Sequence, residues 1–111
     1  MTVNEIVSAL ELTVVSELQD SAVTGAYAAD LLSDVVGNAQ PGNVLITVQV
    51  HRNVVAVAGL VGLAAVIITH GRVPDSDVLT AARDNNVTVL TTAESSFTVA
   101  GRLYALGVRS A

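Results

Sequence analysis

The sequence predicts an α/β fold: a single domain over residues 1–111, with a mainly parallel β-sheet, flanking helices and an N-terminal strand pair. Three observations predict it. Short β-branched runs recur after residue 43, each followed by a helical pattern, and that alternation requires crossovers and hence parallel pairing. Those runs are apolar throughout, as strands covered on both faces are. Hydrophobic residues make up 51% of the chain and charged residues 14%, which supplies one core and lies far from a disordered composition.

Each element has its own signal. Thr2 followed by Glu5 forms a capping box, and Ile6, Val7 and Leu10 give an apolar stripe, so the first helix covers residues 3–10. Leu12 to Val15 and Val23 to Ala29 read as the two N-terminal strands, separated by a turn at Asp20-Ser21. Asp30 is expected to cap a short helix through Leu32, Val35 and Val36, with Gly37-Asn38 as its stop. Gln40-Pro41-Gly42-Asn43 is a loop. Val44 to Val48 follows as a strand, then Asn53 to Leu60 as a helix and Ala64 to Thr69 as a strand. Asp75 and Ser76 are expected to cap a helix to Asp84, and Val87 to Thr91 to form the last strand. Ser95 or Ser96 caps the final helix, which Gly107 ends.

Composition excludes several function classes. Ten acidic side chains against five basic ones, all arginines, give a net charge of −5. An acidic chain with scattered arginines offers no basic face to nucleic acid or anionic membrane. Without cysteine there is no disulfide, thiolate nucleophile or zinc–thiolate site, which fits a cytoplasmic setting. Glu5 and Glu11 without a basic segment argue against a signal peptide. Val54 to Ile68 runs fifteen residues without a polar side chain, but a membrane span needs about 20. Gly59 and Gly62 interrupt the run, which reads as a buried helix followed by a buried strand.

In open parallel sheets, ligands bind beyond the carboxyl ends of the strands. That rule selects Gln49, His51 and Arg52 after one strand, Thr69, His70, Gly71 and Arg72 after the next, and Ser95 after the last. Arg52 and Arg72 stand beside helix N-termini, where a guanidinium and backbone N–H groups together suit phosphate or carboxylate. The plainer reading pairs those arginines with Asp30, Asp34 or Asp75. His51 and His70 are candidates for a metal or ligand site completed by Asp30 or Glu94, although no local spacing fixes their geometry; capping or surface hydrogen bonds are the plainer explanation. The threonines suit strands and the serines suit caps whether or not a ligand exists. No G-x-S-x-G elbow and no Ser-His-acid order is present, so the sequence does not require an enzyme. The abundance of Ala and Val, with Val23–Ala29 as an edge, points to a homodimer; a sheet buried on both faces also accounts for it.

Four segments carry a family likeness: Asp30-Leu31-Leu32-Ser33-Asp34-Val35-Val36-Gly37-Asn38-Ala39, His51-Arg52-Asn53-Val54-Val55-Ala56-Val57-Ala58, Ile67-Ile68-Thr69-His70-Gly71-Arg72, and Ser95-Ser96-Phe97 with Ala100-Gly101-Arg102-Leu103-Tyr104. Together, from Leu12 to Gly107, they resemble the stand-alone members of the DRTGG domain family. The name-giving Asp-Arg and Thr-Gly-Gly positions read His51-Arg52 and Thr69-His70-Gly71 here, so Arg52, Thr69 and Gly71 are retained. The resemblance implies a fold like the N-terminal domains of HPr kinase/phosphorylase and the Mur ligases, with no established catalysis. It also implies settings of regulation and assembly: free-standing proteins, some encoded near iron hydrogenases, and domains inserted beside CBS pairs in pyrophosphatases or within long phosphate acetyltransferases. Kinase activity is not implied, because the chain has no G-x-x-x-x-G-K-[ST] loop and no lysine.

The expectation is a non-catalytic regulatory or scaffolding domain, needing no cofactor, that self-associates and binds a small anionic metabolite or nucleotide. The alternatives are a metal- or ligand-dependent enzyme using His51 and His70, and an interaction module for a redox complex of the hydrogenase type.

Overall fold

Alternation of side chains along the central strands determines the architecture. In the computed structural model, which describes Met1–Ala111, β3 (Asn43–Thr47), β4 (Ala65–Ile68) and β5 (Val89–Thr91) form the middle of a five-stranded sheet. Val44, Ile46, Ala65, Ile67 and Leu90 point to one face, while Leu45, Val66, Ile68 and Val89 point to the other. Both sets are buried, which is why these segments read as continuous apolar runs.

Two helical layers cover the two faces. On the first, α1 (Val3–Leu10) contributes Val3, Ile6 and Leu10, and α5 (Ser96–Ala105) contributes Val99 and Leu103. On the second lie α2 (Leu32–Asn38), α3 (Asn53–Val61) and α4 (Ser76–Asp84), through Val35, through Val54, Val55 and Ala58, and through Val78 and Ala82. The Val54 to Ile68 run is thus a buried helix followed by a buried strand. No helix is long and apolar enough to cross a membrane.

The strand order is β1-β5-β4-β3-β2, with β1 (Thr13–Val14) and β2 (Gly25–Ala28) at opposite edges. β2, β3, β4 and β5 are parallel, with Ala28 opposite Ile46, Thr47 opposite Ile68, and Ile68 opposite Thr91. β1 is antiparallel to β5. Both N-terminal strands form, but they pair with the central sheet and not with each other. From β2 to β5 the chain moves steadily across the sheet, so its three crossover helices share one face. Only after β5 does it cross to the other face, as α5.

The capping box at Thr2 and Glu5 is complete, Ser95 Oγ accepts the Thr98 N–H at 3.1 Å, and Gly107 follows α5 with φ 100°. Other expected helix ends differ. Asp30 does not cap α2; Leu31 holds that position without a side-chain bond, because Asp30 is engaged across the sheet. Gly37 and Asn38 do not stop α2. Both are helical, the Asn38 amide donates to Asp34, and the chain leaves through an extended Ala39. Asp75 is the N-cap residue of α4, but its carboxylate accepts no cap bond.

Candidate functional site

All four parallel strands deliver their carboxyl ends to the same edge, where the sequence-derived candidates gather. After β3, the Asp30 carboxylate Oδ1 accepts the Thr47 hydroxyl at 3.0 Å and the Val48 N–H at 2.9 Å. Gln49 returns its side-chain amide to the Asp30 carbonyl at 3.0 Å, while its own N–H reaches the Thr47 hydroxyl at 3.1 Å. Asp30 therefore ties the end of β2 to the end of β3. Gln49 belongs to that tie.

His51 Nδ1 accepts the Asn53 N–H at 3.1 Å, so the imidazole caps the first turn of α3. Arg52 is the N-cap residue by backbone position, and its side chain makes no cap bond. Arg52 and Arg72 are exposed, and neither pairs with Asp30, Asp34 or Asp75. The domain's single ion pair joins Arg102 to Glu94 at 3.3 Å.

The chain diverges between β4 and β5, because α4 turns to one face and α5 to the other. A crevice is expected where neighbouring connections part in this way. Here protein hydrogen bonds close it. His70 N donates to the Glu94 carbonyl at 2.8 Å, and Gly71 N donates to the Thr92 carbonyl at 3.0 Å. Thr69 Oγ1 and Ser96 Oγ share a hydrogen bond of 2.7 Å, and His70 Nε2 accepts the Ser96 N–H at 3.2 Å. His70 and Gly71 have φ of 61° and 68°, and Arg72 N returns to the Thr69 carbonyl at 3.3 Å, closing a left-handed turn. Thr69 is completely buried, whereas His70, Gly71 and Arg72 are exposed and Ser95 is half-buried.

Nothing at this edge gathers three or more metal-ligating side chains. Each histidine nitrogen already named holds a backbone N–H, so a metal binding there would displace a helix cap. Glu94 Oε2 is buried without a hydrogen-bond partner while Oε1 faces Arg102.

Open volume lies to the side of the edge. A hollow of about 710 Å³ between α3 and α4 is lined by Arg52 and Asn53 at the start of α3 and by Asn85 just after the end of α4, with Ala56, Gly59 and Leu60 on its α3 wall. A second, of about 320 Å³, runs along α4 from Arg52 past Asp77, Thr80 and Asp84. Arg52 is the one sequence-derived candidate that lines either. Sequence reasoning missed Asn85 and the partners in the closed crevice, since only the fold brings them there. Another residue it missed, Tyr27, donates its hydroxyl to Asp34 Oδ2 at 2.7 Å. That bond first, then burial and the Asp34 charge, raises the phenol pKa above its usual 10.0 against a smaller opposing effect of Asn38.

Comparison with curated proteins gives no match. Among solved structures, the fold is similar to the CBS and DRTGG domains of the regulatory region of Clostridium perfringens pyrophosphatase, complexed with the activator diadenosine tetraphosphate. The TM-score is 0.71 at 18% identity, over 92% of this chain and 45% of that one. The chain thus spans less than half the length of that neighbour. The DRTGG domain model matches residues 5–106, which take in every strand of the sheet and all of the helices but the first two residues of α1, and the chain belongs to the DRTGG domain family.

Proposed function

We propose that this chain is a non-catalytic regulatory domain that binds a small anionic ligand of the nucleotide class at Arg52 and self-associates. The observation that carries the reading is the position of Arg52. Its guanidinium has no carboxylate partner and borders both hollows beside α4. Asp77 and Asp84 line the smaller hollow and would repel a phosphate, so the anionic group belongs in the larger one. There Asn53, next to Arg52 at the start of α3, offers an amide, and Ala56, Gly59 and Leu60 offer an apolar wall for a base. The similarity to a regulatory region whose complex contains diadenosine tetraphosphate supports the same ligand class.

Thermal unfolding with ATP, diadenosine tetraphosphate and inorganic phosphate tests the reading. At 100 times its dissociation constant, a ligand adds about 2.7 kcal/mol, raising the midpoint of a domain this size by more than about 5 °C. The shift is expected with a nucleotide and is lost in Arg52→Ala, which folds normally. No shift with any of the three, or an equal shift in Arg52→Ala, overturns the assignment. Light scattering at micromolar concentration tests self-association, and a monomer removes that part.

One observation favours a second reading, docking of a protein partner. Phe97 is 87% and Val73 81% exposed, and both leave the carboxyl edge of the sheet. Capture of a specific host protein lost in Phe97→Ser would support it. Elemental analysis of untagged protein addresses the metal-dependent alternative: stoichiometric metal lost in His51→Ala would promote it.

A further inference from the structure

We propose that the hollow between β2 and α5 is a separate binding site, for a small molecule with an apolar body and a carboxylate head. It lies at the β2 edge of the sheet, on the face opposite α3 and α4, and encloses about 300 Å³, the small end of the range for ligand pockets. Its origin is visible in the sequence. Ala26 and Ala28 are two apart on β2 and point to the same face, and Ala100 faces them from α5. Three methyl groups stand where larger side chains would close the packing, so a gap opens above Ile46, Leu103 and Val108, which form its floor and are nearly fully buried.

The rim supplies the charge. Arg109 lies with its guanidinium carbon 4.1 Å from the centre of the Tyr104 ring. Both of its hydrogen bonds come from Nη1, to the Tyr104 carbonyl at 3.0 Å and the Val108 carbonyl at 3.2 Å. Nη2 and Nε therefore retain their donors, no carboxylate pairs with the residue, and the free side of the guanidinium matches the two oxygens of a carboxylate. The rim is also fixed in place. The Ala26 N–H donates to the Arg109 carbonyl at 2.8 Å and the Ala111 N–H to the Ala26 carbonyl at 3.1 Å, extending the sheet by one bridge. An apolar floor, alanine walls and a half-used guanidinium select an amphiphilic carboxylate over a purely polar anion.

Octanoate is the probe, with 1-octanol as its uncharged counterpart, followed by amide chemical shifts and calorimetry on the whole chain. Octanoate is expected to bind saturably, with shifts concentrated in β2, α5 and residues 108–110. Ala100→Leu fills the hollow and should weaken octanoate at least about ten-fold while leaving the circular dichroism unchanged. Ala28→Leu closes the same space from the sheet side, should Ala100→Leu fail to fold. Arg109→Gln should weaken octanoate about ten-fold and leave octanol unchanged. Absence of saturable binding, shifts centred elsewhere, undiminished affinity in a folded wall variant, or equal octanoate affinity in Arg109→Gln would each overturn the proposal. Arg52→Ala should bind octanoate like the wild type, which keeps this site independent of the nucleotide reading.

Discussion

His70 Nε2 accepts the backbone N–H of Ser96 at 3.2 Å, so the loop after β4 caps the helix that follows β5. Only a neutral ring nitrogen can accept, and the left-handed backbone of His70 aims it there. His70→Ala removes the acceptor and should cost about 1 kcal/mol, typical of a lost N-cap. The thermal midpoint should fall by about 4 °C. His70→Asn, which tolerates the same backbone and presents an oxygen, should recover part of that loss. A midpoint unchanged in His70→Ala would mean that the hydrogen bond does not stabilise the fold.

Tyr27 and Asp34 give the domain an alkaline sensitivity. The folded phenol pKa is raised above 10.0, chiefly by donation to Asp34, so folding favours the protonated form. The associated stabilisation is complete below the unfolded value, about 10, and disappears as pH rises through the higher folded value. Urea midpoints should therefore fall more steeply above pH about 10 in the wild type than in Tyr27→Phe. Parallel profiles would separate the Asp34 contact from stability.

Local chemistry explains which parts of this fold were legible. Buried strands on both faces leave unbroken apolar runs, and Val44, Ile67 and Leu90 announced the sheet without any contact information. Thr2, Ser95 and Gly107 were readable because each acts within a few residues of itself. Asp30 was misread because its real partners, Thr47 and Val48, are 17 and 18 residues away and meet it only once β2 and β3 pair. The same limit hid the closed crevice. The sequence placed Thr69, His70 and Ser95 at the carboxyl edge, but not the turn of α5 to the opposite face, which directs Ser96 back onto Thr69 and His70. Arg52 was recognisable as a cation beside a helix start, whereas the hollow it borders depends on how α3 and α4 pack.

Two glycine substitutions should have opposite signs. Gly42 has φ of 82°, and a Cβ there would lie 2.7 Å from the Thr24 side chain. Thr24 cannot easily yield, since its hydroxyl donates to the Pro41 carbonyl and accepts from the Asn43 amide. Gly42→Ala should destabilise by more than about 1 kcal/mol in urea unfolding. Gly37 lies inside α2 with open space around its Cβ position, so Gly37→Ala should stabilise by about 0.5–1 kcal/mol. A stabilised Gly42→Ala would contradict the left-handed backbone at that turn.

Thr69 and Arg52 came from the same sequence argument and should separate in experiment. Thr69 is 0% exposed, and its hydroxyl already bonds the Thr47 carbonyl at 3.3 Å and the Ser96 hydroxyl at 2.7 Å. A group so placed can reach a ligand only if β4 and α5 part. Thr69→Val keeps the volume and the Thr69 N–H bond to the Thr47 carbonyl but takes a partner from the half-buried Ser96 hydroxyl, for an expected loss of about 1 kcal/mol. Its unfolding midpoint should drop while the added shift from ATP stays at the wild-type value. Arg52→Ala should do the reverse, keeping the midpoint and losing the nucleotide shift. Loss of the nucleotide shift in Thr69→Val at temperatures where it remains folded would mean that the crevice between β4 and β5 opens to admit the ligand, and the binding site would move there from the α3–α4 hollow.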